Sequence, residues 1–213
     1  MNIGVIFAGG VGTRMKTTGK PKQFLMVHGK PIIVHTIEIF QNHPEIDGII
    51  CVCVADWIDY MEELKYRYRL DKIGKIVPGG ETGQLSIYNG LKAAAECYGL
   101  QDNIVLIHDG VRPLISAETI SANVDSVKQY GSAITSVPAQ ETVIVVDDNE
   151  QVQEIVDRSH ARLARAPQSF YLKEILEAQE TAIAQGLTNM TDSCTLMTVS
   201  YTHLRAHETL MNL

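Results

Sequence analysis

The sequence predicts an α/β fold: a Rossmann-like, mostly parallel sheet with helices on both faces and a protruding β-hairpin arm. Three observations carry the prediction. Short apolar runs without helical period alternate with amphipathic stretches of helical period through residue 137. The run Asp47 to Val54 is almost wholly apolar, as in strands covered on both faces. After Pro138 two short alternating segments flank Asp148-Asn149, which is a hairpin pattern.

The elements follow in order. Ile3, Val5, Ile6 and Phe7 form a first strand. It breaks into Ala8-Gly9-Gly10-Val11-Gly12-Thr13-Arg14-Met15, where clustered glycines let the backbone turn sharply and uncover its N–H groups. A strand followed by such a loop is a common phosphate cradle, and Arg14 and Lys22 add positive charge close behind. A plain tight turn is the alternative. Gly-x-x-x-x-Gly-Lys-Ser/Thr is absent and Gly-x-Gly-x-x-Gly is not completed, so neither a P-loop nor a dinucleotide loop is supported. Pro31 opens a helix through about Phe40, Pro being at home in a first turn. The strand 47–54 and a helix from Trp57 to about Tyr68 come next, with Trp57 read as a core contact. A strand at about 75–77 ends in Pro78-Gly79-Gly80-Glu81-Thr82, and a helix spans about 83–98. A strand at 103–107 ends in His108-Asp109-Gly110-Val111-Arg112-Pro113. A helix at about 117–130 and a strand at 132–137 follow. The arm covers about 139–160, with strands 142–147 and 151–156, and an arm that cannot bury itself suits a second subunit or a bare surface hairpin. A helix at 172–185 and a short one capped by Thr191-Asp192-Ser193 complete the pattern.

A length of 213 residues suits one domain with a small appendage. The formal charge of −7, without a basic run, argues against nucleic acid and anionic membranes as partners. No apolar stretch reaches about 18 residues, so no membrane span is expected. The N-terminus enters a strand directly, unlike a secretory signal, and Cys51, Cys53, Cys97 and Cys194 form no Cys-x-x-Cys pair. The expected compartment is the cytoplasm.

In a parallel sheet the ligand lies beyond the carboxyl ends of the strands, where three of these loops converge. Asp109, opposite the cradle, suits Mg²⁺ or a ligand hydroxyl, or else a helix cap. Arg112 adds a bidentate phosphate donor. Glu81 and Ser86 could read hydroxyls or a base edge, with N-capping the alternative. Arg158 on the arm reaches another subunit's site or pairs with a surface acid. His108 reads as a satisfied buried histidine; His203 and His207 lack a third metal ligand. With no Ser-His-Asp set and no nucleophilic cysteine context, the chemistry must run by placing charges. Nucleotidyl transfer fits: a phosphate monoester is already mostly dianionic at pH 7 and needs no general base. It needs cations that hold two anions in line and stabilise the departing pyrophosphate.

The motifs Phe7 to Met15, Pro21-Lys22-Gln23, Gly79-Gly80-Glu81 with Ser86, His108 to Pro113, Asp157-Arg158 and Pro167-Gln168-Ser169-Phe170 resemble, in order, those of the cytidylyltransferases acting on 2-C-methyl-D-erythritol 4-phosphate or ribitol 5-phosphate. The resemblance covers residues 1 to about 198. It implies the nucleotide-diphospho-sugar transferase fold and the reaction of CTP with a polyol phosphate, with Mg²⁺, in a homodimer built through the arm. It implies that Arg14 and Lys22 are catalytic, and that Ala8, Gly9, Gly10, Gly12, Thr13, Gly80, Glu81, Ser86 and Asp109 bind CTP, with Asp109 also on the metal. Arg112, Thr142, Arg158 and Asp192 are implied in polyol phosphate binding, Thr142 and Arg158 in the neighbouring subunit's site. Ala166 stands where the family often has Thr before Pro-Gln. Of the two polyols, serving isoprenoid or cell-wall polymer synthesis, Asp157-Arg158 tips the reading slightly to methylerythritol. A non-catalytic CTP-binding protein is the alternative of another class, and the lack of Asp-x-Asp argues against a glycosyltransferase.

The pattern holds over 1–199 and departs over 200–213, where Ser200 to Leu210 replaces the expected strand, lysine and final helix. The tail resembles translated adapter DNA. The expectation is a sheet edge left partly uncovered and weak or absent turnover.

Overall fold

The computed structural model describes residues 1–8, 19–200 and 206–208, with backbone alone described for residue 200 and for 206–208. Strand β1 (Asn2–Ala8) runs through the middle of the molecule. A short hairpin, β2 (Met26–Val27) and β3 (Lys30–Pro31), leads into helix α1 (Ile32–Asn42), where Pro31 is the residue before the first turn. Then come β4 (Gly48–Cys53), α2 (Ile58–Arg67), β5 (Ile73–Pro78), α3 (Gly83–Tyr98), β6 (Ile104–Asp109), α4 (Ala117–Tyr130) and β7 (Ser132–Pro138). The arm carries β8 (Ile144–Val146) and β9 (Val152–Ile155). The chain returns through β10 (Arg162–Tyr171), α5 (Leu172–Ala184) and α6 (Ser193–Ser200), and Ala206–Glu208 forms β11.

The sheet order is β11-β7-β10-β6-β1-β4-β5. Every pairing is parallel except those of β10, which lies antiparallel between β6 and β7. Alternation sorts the strand side chains onto two faces. Ile6, Ala8, Ile49, Cys51, Cys53 and Leu106 pack under α1, α2 and α4. Ile3, Val5, Ile50, Val52, Val105 and Ile107 pack under α3 and α5. Cys51 and Cys53 thus share one buried face, as expected, and burial pushes both thiols up, Cys53 to about 11. Gly90 in α3 lies so close to the sheet that a Cβ there would come within 2.7 Å of Val52.

Two expectations are corrected. The sequence pattern predicts no element over 162–171, yet these residues form the longest strand of the sheet among the described residues. Pro167 and the polar residues around it hide a strand from apolar periodicity; it is buried only over 167–170, where β6 and β7 flank it. The edge beside β7 is also covered where the tail was expected to leave it bare: Ala206–Glu208 pairs with Ile134, Thr135 and Ser136.

Candidate active site

A cavity of about 300 Å³ opens at the carboxyl ends of β1 and β6. Phe7 of β1, Asp109 and Arg112 of the β6 turn, Gln84 of α3, Arg165 of β10 and Asp192 before α6 line it. This is the crevice that a parallel sheet offers beyond its strand ends.

The Asp109–Arg112 wall is fixed by its own sequence. Gly110 N–H donates to the Phe7 carbonyl (3.0 Å), and Thr36 Oγ1 donates to the Gly110 carbonyl (3.0 Å). A Cβ on Gly110 would sit 3.0 Å from Ala8 Cβ, so the turn lies close to the end of β1. Arg112 Nε donates to Asp109 Oδ2 at 2.5 Å, across one turn. His108 is buried, stands 5.3 Å from the Phe40 ring, and bonds the Arg112 carbonyl through Nε2 (3.0 Å). Burial drives its pKa down to about 4, against the upward pull of that hydrogen bond and of Asp109. A neutral imidazole donates from Nε2 here. Its Nδ1 is buried without a partner, so the reading of a fully satisfied histidine is corrected for that atom.

Lys22 opens a short turn at the end of β1. Gln23 Nε2 donates to the Ala8 carbonyl (2.6 Å), and Phe24 stacks on Trp57 with centroids 5.0 Å apart. The tryptophan is the core contact expected. The turn that Lys22 opens is thereby tied to the end of β1. Gly9, Gly10, Gly12, Thr13 and Arg14 lie outside the described residues, while Ala8 closes β1 in the core.

On the α3 side, of the residues expected around a base, Ser86 bonds the backbone and Glu81 is exposed. Thr82 Oγ1 caps α3 by accepting from Leu85 N–H (3.1 Å). Ser86 Oγ is buried, accepts from Gly80 N–H (3.0 Å) and donates to the Thr82 carbonyl (2.9 Å). A Cβ on Gly80 would lie 2.5 Å from that of Leu85, so the turn requires glycine there. Glu81 is exposed, and among the described residues it is Gly83, Gln84 and Ile87 that line the cavity.

Gln84 is a structural residue that sequence reasoning missed. Its Nε2 donates to Gln179 Oε1 (3.2 Å) and the Leu187 carbonyl (2.9 Å), and its Oε1 accepts from Met190 N–H (2.8 Å). The segment before Asp192 is pinned in this way. Asp192 Oδ1 caps α6 by accepting from Thr195 N–H (2.8 Å), and Asp192 still lines the cavity. Gln168 Oε1 accepts from Cys194 N–H (2.9 Å), tying α6 to β10. A glutamine in an amphipathic helix gives no sequence signal of such partners, which lie up to 106 residues away.

Thr142 and Arg158 sit on the arm and do not line this cavity. Thr142 precedes β8 and is exposed, and Arg158 Nη1 donates to the Gln140 carbonyl (3.2 Å). Within one chain the structure thus brings together Asp109, Arg112 and Asp192, and leaves the two arm residues outside. For a metal, no cluster of three His, Cys, Asp or Glu side chains exists among the described residues. A Mg²⁺ held by one carboxylate, water and substrate phosphates suits the single Asp109.

The chain matches, over residues 3–205, the family described as IspD: 2-C-methyl-D-erythritol 4-phosphate cytidylyltransferase. It is 60% identical over 197 residues to a ribitol-5-phosphate cytidylyltransferase of Streptococcus agalactiae serotype V, covering 92% of this chain and 82% of the relative. It is 50% identical over 198 residues to an enzyme of the same name from Vibrio parahaemolyticus, covering 93% and 83%. Its fold superposes on the 4-diphosphocytidyl-2C-methyl-D-erythritol synthase of Anaerococcus prevotii with a TM-score of 0.83 at 26% identity, covering 100% of this chain and 88% of that one. These likenesses decide for an enzyme against a non-catalytic CTP-binding protein. With its charges gathered at the carboxyl end of the sheet and no nucleophile among them, the chain belongs to this IspD family and is a cytidylyltransferase acting on a polyol phosphate.

Proposed function

We propose that the acceptor is ribitol 5-phosphate and the product CDP-ribitol, with pyrophosphate released. The observation that carries this is the name borne by the relatives 60% and 50% identical. The hint toward methylerythritol loses its weight. Asp157 Oδ1 accepts from Ser159 N–H (2.9 Å) and Oγ (2.8 Å), and Oδ2 lies 3.2 Å from His160 Nδ1. That carboxylate builds a local turn, which any polyol could be served by. Methylerythritol 4-phosphate remains the second reading because the family description carries it.

In this reading the acceptor phosphate attacks the α-phosphorus of CTP, the bond to the β-phosphate oxygen breaks, and pyrophosphate leaves. Arg14 and Lys22 stabilise the charge of the five-coordinate transition state, and the loop of Gly9, Gly10, Gly12 and Thr13 holds the triphosphate. Asp109 is the residue that would hold Mg²⁺, which supplies charge neutralisation between the phosphates. Its ion pair with Arg112 holds the two side chains together, and in this reading they lie between donor and acceptor. Asp192 accepts from acceptor hydroxyls, which a carboxylate suits. The arm supports a homodimer: Ile144, Val145, Val146, Val152 and Ile155 are all exposed on it, and a partner's site is where Thr142 and Arg158 find use.

The test is pyrophosphate release with CTP, Mg²⁺ and each polyol phosphate side by side. Ribitol 5-phosphate is expected to give the higher kcat/KM. A higher value with methylerythritol 4-phosphate would exchange the two readings.

A further inference from the structure

Arg165 stands where a regular strand would not put it. Successive side chains on a strand point to opposite faces, so Ala164 and Ala166 should share one side and Arg165 the other. Yet all three line the cavity that holds Asp109, Arg112 and Asp192. The reason is an irregularity in β10. Ala164 pairs with Ser136 and Gln168 with Ile134, so four residues of advance on β10 match two on β7. A bulge of this kind bends its strand and re-aims a side chain.

Arg112, Arg165 and Ala166 also line a second cavity, of about 930 Å³, between the β6 turn and the root of the arm. Arg112 and Arg165 therefore stand where the two cavities adjoin. Arg112 is engaged with Asp109 through Nε. Arg165 has no acid partner among the described residues. A guanidinium stays charged at any working pH and presents a planar fork of donors that matches phosphate. Arg165 is solvent-exposed, so its charge is satisfied by water in the free protein and its donors are open to an incoming anion.

We propose that Arg165 is an acceptor-binding residue that, together with Arg112, grips the phosphate of the polyol phosphate where the inner cavity meets the arm groove. The inference rests on the polyol phosphate activity and not on which polyol is used. In the proposed function CTP is held by the glycine loop after β1, so its binding is expected not to depend on Arg165.

The experiment compares the unsubstituted 213-residue chain with Arg165→Ala and Arg165→Lys. Steady-state kinetics are run with ribitol 5-phosphate and with methylerythritol 4-phosphate, and each is also titrated calorimetrically in the presence of a non-hydrolysable CTP analogue. For Arg165→Ala, KM and Kd for the polyol phosphate are expected to rise about 10- to 100-fold, the range for losing a hydrogen bond to a charged group. KM for CTP and the melting temperature should stay unchanged, and Arg165→Lys should recover part of the loss. An unchanged polyol phosphate KM, or an equal rise in KM for CTP, overturns the role. If the unsubstituted chain uses only methylerythritol 4-phosphate, the choice of polyol fails while Arg165 is still judged on that substrate. If it binds neither, the role of Arg165 fails as well.

Discussion

The turn after β6 and the arm after β7 both leave the carboxyl end of the sheet, but they are held in opposite ways. The β6 turn is bonded to β1, to α1 and to itself through buried or half-buried groups, from Thr36 Oγ1 to His108 Nε2. The arm is held by its own ladder, by Asp147 accepting from Asn149 and Gln151 N–H, and by the Asp157 turn. Its apolar side chains face outward. One region is finished within the subunit. The other has formed locally without burying itself, and its apolar side chains stay in solvent within the single subunit.

The contrast can be broken first in the core behind the cavity. Phe24 is fully buried against Trp57 and Tyr60, so Phe24→Ala is expected to cost about 3–5 kcal/mol in chemical denaturation. Loss of the Lys22 cation should lower kcat about 100- to 1,000-fold in Lys22→Ala, read by pyrophosphate release, without altering stability. The same variant sharpens the comparison when mixed with Arg158→Ala, itself expected to be nearly inactive. If arms serve the partner's site, a randomised 1:1 mixture should regain about a quarter of full activity, because half the dimers are mixed and each holds one intact site. No recovery would show that the arm serves its own subunit.

A further expectation concerns pH. His108 is held neutral in the fold with its pKa lowered to about 4, below the ordinary 6.5. The unfolded chain then binds the extra proton first, so stability is unaffected above pH 6.5 and falls as pH drops from there toward 4. The loss amounts to roughly 3 kcal/mol over that window. Urea titrations of His108→Gln should show a flatter acid limb; an identical limb would remove His108 as its cause. The smallest effect is expected on the arm, where Ile155→Ala should change the stability of the monomeric subunit by less than about 0.5 kcal/mol. A loss as large as that of Phe24→Ala would mean the arm is packed after all.

Much of this was legible beforehand. The alternation of runs placed β1, β4, β6, α3 and α4 within a residue or two, because each buries a continuous face against its neighbours. Asp109 and Arg112 were legible from their place just past a buried strand, whereas Asp192 came only with the family resemblance; all three line the cavity. The roles of Glu81 and Ser86 were harder to read, since a cap and a ligand contact use the same residue types. Only the bonds made by Ser86 to Gly80 and Thr82 assign it to the backbone.

β10 and Arg165 were not legible. A strand that runs antiparallel between two parallel ones, with a proline and a register shift inside it, carries no period to detect. Where its arginine points depends on the strands at either side. The sequence by itself determined the α/β class, the order of the elements and the charged loops at the carboxyl edge, because periodicity and turn chemistry are local properties of the chain. The tertiary structure decided which of those charges share a cavity, that β10 enters between β6 and β7, and that Arg165 joins Arg112, because these depend on pairings between residues far apart in sequence.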